Sequence, residues 1–198
     1  MKKRSEIMAP FLKKEIGRLK KEIRKLKSVA DYDHMVHFVL NRRGLESRLL
    51  PVVREMRKSK NPTRKNNFYS VKEVACIFID IDRFKKINDT LGYGDGDKTI
   101  ILLGKILKNK FRETDLVCRF GGDEFIVMIF NSNKNYTVDK MRNVATVFEK
   151  KASRLAPIIK PTISYGVSYL SEGIKGVSNL IKAAGKRMKE HKADKKLG

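Results

Sequence analysis

Cysteine is scarce in this chain: Cys76 and Cys118 are the only two among 198 residues. Both sit in apolar stretches that read as buried strands, so they read as small core residues rather than as a disulfide or a metal clip. A reducing, cytoplasmic setting is the expectation that follows. Long hydrophobic runs are also missing. The longest unbroken ones, such as Val74 to Ile79, are far too short to cross a bilayer. The N-terminus is basic and has no apolar h-region, so no signal peptide is expected. Acidic charge is in deficit, with 22 Asp and Glu against 45 Lys and Arg, a formal net charge of +23. Such an excess attracts polyanions: nucleotides, nucleic acid or an anionic membrane surface. It is concentrated in three stretches. Residues 1–30 hold eleven Lys/Arg against three Glu, residues 42–72 ten against two, and residues 182–196 seven against two. The plain reading of such runs is a solvated face.

An apolar fraction of 41% is enough for a core, and the length fits one domain with an extension. The pattern predicts a helix over 4–28, where Leu12, Ile16, Leu19, Ile23 and Leu26 are spaced four, three, four, three. That is a heptad seam, suited to a two-stranded coiled coil or to packing on its own domain. The expected division is therefore a basic amphipathic helix over 1–30 and a folded domain over 31–198. A connector over 29–40, a helix over 41–58 and a polar loop over 59–70 come next. Residues 73–82 (EVACIFIDID) read as a central strand covered on both faces, because the apolar run does not alternate until its end. A short helix over 83–91, a Gly/Asp turn over 92–97 (GYGDGD) and a second helix over 98–110 follow. Beyond a hairpin come a helix over 137–155, a strand over 160–170 whose Pro161 marks an edge or a strand start, and a helix over 177–192. The order β-α-α-β-β-α-β-α predicts an α/β (α+β) sandwich with a mainly antiparallel sheet.

The hairpin carries the chemistry. Arg119 to Phe125 read RFGGDEF, with apolar residues on both sides. Gly121 and Gly122 can take positive φ and leave no side chain over the turn. Asp123 and Glu124 come next, and a bare, acidic tip suits a polyphosphate held through a metal. An ordinary polar turn is the alternative. Asp80 and Asp82 end the central strand, two apart and so on one face. Buried acids are costly unless paired, hydrated or bound to a cation. With Asp123 they form an oxygen-rich set of the kind Mg²⁺ prefers. His34 and His37 read as isolated core or surface residues rather than as ligands.

From about Asn41 to the C-terminus the chain resembles the GGDEF domain of diguanylate cyclases. The likeness rests on GGDEF itself, on FIDIDRFKKINDTLGYGDGD (78–97), on SYGVS (164–168) and on Asn41-Arg42-Arg43. The resemblance implies a palm-like nucleotidyl cyclase fold. It implies condensation of two GTP into cyclic di-GMP with release of two pyrophosphates. It also implies Mg²⁺ (or Mn²⁺) held by Asp80, the Ile81 carbonyl and Asp123, with Asp123 and Glu124 as the catalytic pair. Phe84, Lys85 and Lys192 match phosphate-binding positions, and Asn88 and Asp97 match the guanine readers. A guanine presents donors that Asp97 can accept from, whereas adenine would leave it unpaired. Taken alone, Asn88 also reads as a helix-end cap and Asp97 as an N-cap. Arg112 and Asp115 form an RxxD five residues before the motif, which implies an inhibitory site for cyclic di-GMP; apart from the family they read as a helix-end Arg and a turn Asp. One GTP per domain implies a two-fold homodimer, which the heptad helix would favour.

The sequence departs from the family in four places. The usual Asp-x-Leu-Thr-Gly-Leu before Asn41 is replaced around His34, Val36, His37 and Phe38. Tyr93 stands where a His is usual. Gly185 and Lys189 stand where Asp and Tyr are usual, and Lys196 replaces an Arg. The loop before Asp80 is longer and more basic than usual. Two other readings remain beside the cyclase: a related palm enzyme making another cyclic nucleotide, and a non-catalytic module binding cyclic di-GMP or nucleic acid.

Overall fold

A computed structural model describes residues 13–22, 30–58 and 71–197. Residues 13–22, here α1, are helical, as the heptad spacing predicts. The rest of the 4–28 stretch and the 59–70 loop lie outside the described residues. The remaining elements are α2 (Arg42–Lys58), β1 (Val74–Ile81), α3 (Phe84–Leu91), α4 (Tyr93–Lys110), β2 (Leu116–Arg119), β3 (Glu124–Phe130), α5 (Lys134–Leu155), β4 (Ile163–Tyr169) and α6 (Val177–Leu197). A 3-10 turn, Leu170–Glu172, follows β4.

The strands form one antiparallel sheet in the order β2-β3-β1-β4. Every residue of β1 is buried, as its unalternating pattern predicts. The strand after Pro161 lies at an edge. Strand periodicity divides the core in two. Ile77, Ile79, Val127 and Ile129 join Leu103, Leu107, Met141 and Phe148 of α4 and α5 on one face. Cys76, Phe78, Ile126 and Met128 join Leu45 and Leu49 of α2 and Leu180, Ala184 and Met188 of α6 on the other. Each fully buried Leu, Ile, Val, Phe or Met side chain among them contributes about 1.5–3 kcal/mol relative to exposure. Both cysteines are free and buried within the second core, and burial pushes the Cys118 thiol up to about 12.

The GYGDGD stretch is a correction to the sequence reading. It is the first turns of α4, not a turn of its own, and only Gly92 lies outside the helix, at φ 85°. The Gly92 carbonyl accepts the Asp95 and Gly96 amides, which starts the helix early. Residues 30–41 are also more than a connector. Leu40 donates to the Val117 carbonyl at 2.9 Å and accepts from the Arg119 amide at 2.8 Å, so the segment lies alongside β2. The Asn41 side chain donates to the Ala30 and Tyr32 carbonyls and accepts from the Gly44 amide, pinning this segment to the start of α2.

Candidate active site

The site lies where β1, β3 and α6 meet. The β1–β3 register sets Asp80 opposite Glu124, and the parity that buries Cys76 and Phe78 on the α6 side directs Asp80 to the same side. The Ile81 amide donates to the Asp123 carbonyl at 3.4 Å, closing the hairpin onto β1. Lys192 of α6 pairs with Asp80 Oδ1. Burial raises the Asp80 pKa, the Asp123 and Asp82 charges raise it further, and Lys192 offsets part of this. Glu124 is pushed up by burial and by Asp80 and Asp123, with Lys189 and Lys192 opposing. Three carboxylates thus repel one another at one corner, in the presence of two lysines. Hard oxygen donors crowded against like charge suit a small divalent cation. Among the described residues, no group of three or more His, Cys, Asp and Glu side chains forms a complete metal cage. A cation here would therefore draw on backbone oxygen, substrate or water besides side chains.

Asp82 is a correction to its place in the oxygen-rich set. Thr162 and Ser164 donate to it at 2.7 and 2.6 Å, and Lys195 at 3.0 Å. Lys195 also donates to the Ile163 carbonyl at 2.6 Å. The cost of burying Asp82 is outweighed by these bonds, and its pKa is lowered. Asp82 ties α6 to the start of β4.

The hairpin tip holds a second correction. Neither Gly121 nor Gly122 has positive φ. Gly121 instead supplies space: a Cβ there would lie 2.6 Å from the Glu124 carboxylate. The turn is fixed by Phe120 and Gly121 amides donating to the Glu124 carbonyl, at 2.8 and 3.3 Å. Arg119 braces it from outside. Its Nε and Nη2 donate to the Gly122 carbonyl at 3.0 and 2.8 Å, and its Nη1 donates to Asp33 Oδ1 at 3.2 Å. Both ends of that ion pair are 10% exposed. Asp33 also accepts the Met35 and Val36 amides. Burial opposes its ionisation, but these bonds and Arg119 prevail and lower its pKa.

The remaining predicted residues fall in two places. Phe84 and Lys85 open α3, with Lys85 exposed, and Asn88 lies one turn on. Asn88 Oδ1 is buried without a hydrogen-bond partner, and a Cβ on Gly96 would come within 1.9 Å of it. Asp97 is exposed inside α4, so it is not an N-cap. Arg112 and Asp115 lie at the opposite end of β2 from the hairpin tip. Arg112 is exposed, with its guanidinium 5.4 Å from the Tyr136 ring centroid. Asp115 is 4% exposed, accepts the Arg112 amide at 2.9 Å, and its other oxygen is buried beside the Phe130 amide outside hydrogen-bond geometry. His34 and His37 are exposed on irregular backbone. The sequence reading overlooked Asp33, Lys195 and the bracing role of Arg119. Only the arginine, as part of RFGGDEF, carried a local signal.

A family model described as "Diguanylate cyclase, GGDEF domain" matches residues 30–197. The chain belongs to the GGDEF family. It is 33% identical over 120 residues to diguanylate cyclase A of Treponema denticola, covering 60% of this chain and 32% of that protein. It is 32% identical over 122 residues to the probable diguanylate cyclase DgcJ of Escherichia coli, covering 62% and 24%. The matched stretch thus spans about a third or less of these relatives. The fold matches the coiled coil and GGDEF domain of DgcB from Caulobacter crescentus, solved in complex with c-di-GMP, with TM-score 0.74, 17% identity and coverage of 98% and 95%.

Two departures from the GGDEF pattern take on structural meaning here. Gly185 faces the Phe78 ring, with a Cβ position 3.5 Å away, and Lys189 acts on Glu124 through its charge. Tyr93 is the exposed first residue of α4.

Proposed function

We propose that this GGDEF chain condenses two GTP into cyclic di-GMP and releases two pyrophosphates. The observation that carries the reading is the crowding of Asp80, Asp123 and Glu124 at one strand end beside Lys192, in a chain of this family. In each of two steps the 3′-oxygen of one GTP attacks the α-phosphorus of the other, a P–O bond forms, and pyrophosphate leaves. Asp80, the Ile81 carbonyl and Asp123 would hold Mg²⁺ (or Mn²⁺), with Glu124 beside them. When bound, the cation supplies charge neutralisation at the phosphates and eases ionisation of the attacking hydroxyl. Asp123 accepts the 3′-hydroxyl proton. Lys192 exchanges Asp80 for phosphate oxygens, and Lys85 and the start of α3 hold the distal phosphates. Asn88, with its unpartnered buried oxygen, and Asp97 read the guanine edge.

A two-fold dimer is part of the proposal, because one domain offers one such corner and the reaction needs two. Inhibition by cyclic di-GMP is assigned to the exposed Arg112 guanidinium, with buried Asp115 shaping the turn that presents it.

The test is incubation of the full chain with Mg²⁺ and GTP, ATP or both, with products resolved by mass spectrometry. Cyclic di-GMP from GTP alone is expected. A different cyclic product would overturn the guanine assignment. No product at any protein concentration would favour a non-catalytic binding module.

A further inference from the structure

The α2–α6 side of the sheet is not fully closed. A cavity of about 840 Å³ lies between these helices, within the size range of small-molecule sites. Leu45 and Leu49 of α2 and Ile181 and Met188 of α6 form its walls, and Phe78 and Phe120 its floor. The two rings meet edge to face at 5.6 Å and 73°. Gly185 is the reason the floor is open, because α6 sets no side chain over Phe78 at this point. The rim is mainly cationic: Arg42, Lys182, Lys186 and Lys189 stand against Glu46 and Glu124. Arg42 is engaged with Glu46 and the Phe120 ring, and Lys186 is 3.9 Å from Glu190. Lys182 and Lys189 form no ion pair among the described residues.

We infer that this α2–α6 cleft is a binding site for a small amphipathic organic anion. The ligand's apolar, preferably planar body would lie on Phe78 and Phe120, and its acidic group would face Lys182 and Lys186. The apolar walls account for the body, since burying it there removes apolar surface from water. The excess of cations at the rim accounts for the acid. A purely polar anion would leave the walls unused, and a neutral apolar ligand would leave the lysines unused. Phe120 and Glu124 both belong to the hairpin, so the occupant would touch the segment that shapes the active corner. Binding itself does not depend on the cyclase reading.

The test uses the full chain and two fluorescent probes, 1-anilinonaphthalene-8-sulfonate and its uncharged relative N-phenyl-1-naphthylamine. The sulfonate should bind saturably at one site per chain. Lys182→Ala/Lys186→Ala should weaken it by about tenfold, the effect of two part-exposed charge contacts, and leave the uncharged probe unchanged. Gly185→Leu, which covers Phe78, should weaken both probes. The lysine variant alters only exposed side chains, so it remains informative even where the leucine variant fails to fold. Equal sulfonate binding by wild type and lysine variant would overturn the inference. So would displacement of the sulfonate by GTP or cyclic di-GMP, which would give the cleft to nucleotide.

Discussion

Gly96 has no side chain because Asn88 occupies the space where one would go. Replacing it with alanine adds a Cβ that meets the end of the flexible Asn88 side chain at 1.9 Å and the edge of the Phe84 ring at 3.3 Å, so Asn88 swings aside and the helix tolerates the change. Gly96→Ala is expected to alter stability by no more than about 1 kcal/mol, since alanine is the better helix former, yet to raise KM for GTP. Thermal unfolding and initial rates check the two halves separately. The Asp33–Arg119 pair is expected to behave in the opposite way. Asp33→Asn should cost about 1.5–3 kcal/mol, the worth of hydrogen bonds to a charged group, and double-mutant coupling with Arg119→Ala measures it. Because the folded Asp33 carboxyl is held below its ordinary value, its contribution is fully present above the unfolded pKa of about 3.9. It is lost as pH falls through the still lower folded value, and wild type should then lose stability faster than Asp33→Asn in that acid window. This pair was not legible in the sequence. Its partners are 86 residues apart, and no spacing rule links an arginine in a strand to an aspartate in an irregular segment. Gly121 and Gly122 were legible as functional but not for the reason expected, since neither uses backbone freedom and Gly121 alone leaves room for Glu124.

Among the elements, β1 was the most legible. Its unbroken apolar run and terminal acids give a central strand with a chemical end, and the structure shows that strand buried throughout. The start of α4 was misread because Gly and Asp are turn residues by composition, whereas here Gly92 alone makes the bend and Gly96 serves packing. The bond between α6 and β4 could not be read from sequence at all. Gly166 permits it: a Cβ there would sit 2.2 Å from the Ala184 carbonyl oxygen and 2.3 Å from the Met188 nitrogen, both rigid helix backbone. Gly166→Ala is therefore expected to lower stability by about 1–3 kcal/mol or more, as overpacking does. It should also depress turnover, because the helix it displaces carries Lys192 and Lys195. Denaturant unfolding alongside turnover tests whether both effects occur together.

For the whole molecule, the testable features are the N-terminal helix and the net charge. Ile16 and Leu19 are 51% and 45% exposed in the single chain, apolar residues on the predicted seam of α1. If that seam joins two copies, Ile16→Glu/Leu19→Glu should shift sedimentation toward monomer. It should also reduce turnover most strongly at low protein concentration, with rates recovering as concentration rises. No helix among the described residues is long and apolar enough to cross a membrane. The net charge of +23 exceeds what one nucleotide site needs. Binding of nucleic acid to these basic faces would weaken steeply with salt, while cyclic di-GMP at Arg112 would depend on that one residue.

The proposed function places cyclic di-GMP synthesis at the corner of Asp80, Asp123 and Glu124. The most direct test is the rate of cyclic di-GMP formation from GTP and Mg²⁺ by wild type and Asp123→Ala, matched in folding by thermal unfolding. A loss of at least about 100-fold is expected in the variant, since several kcal/mol of charge stabilisation go with the carboxylate. A folded Asp123→Ala chain that forms cyclic di-GMP at the wild-type rate would contradict it.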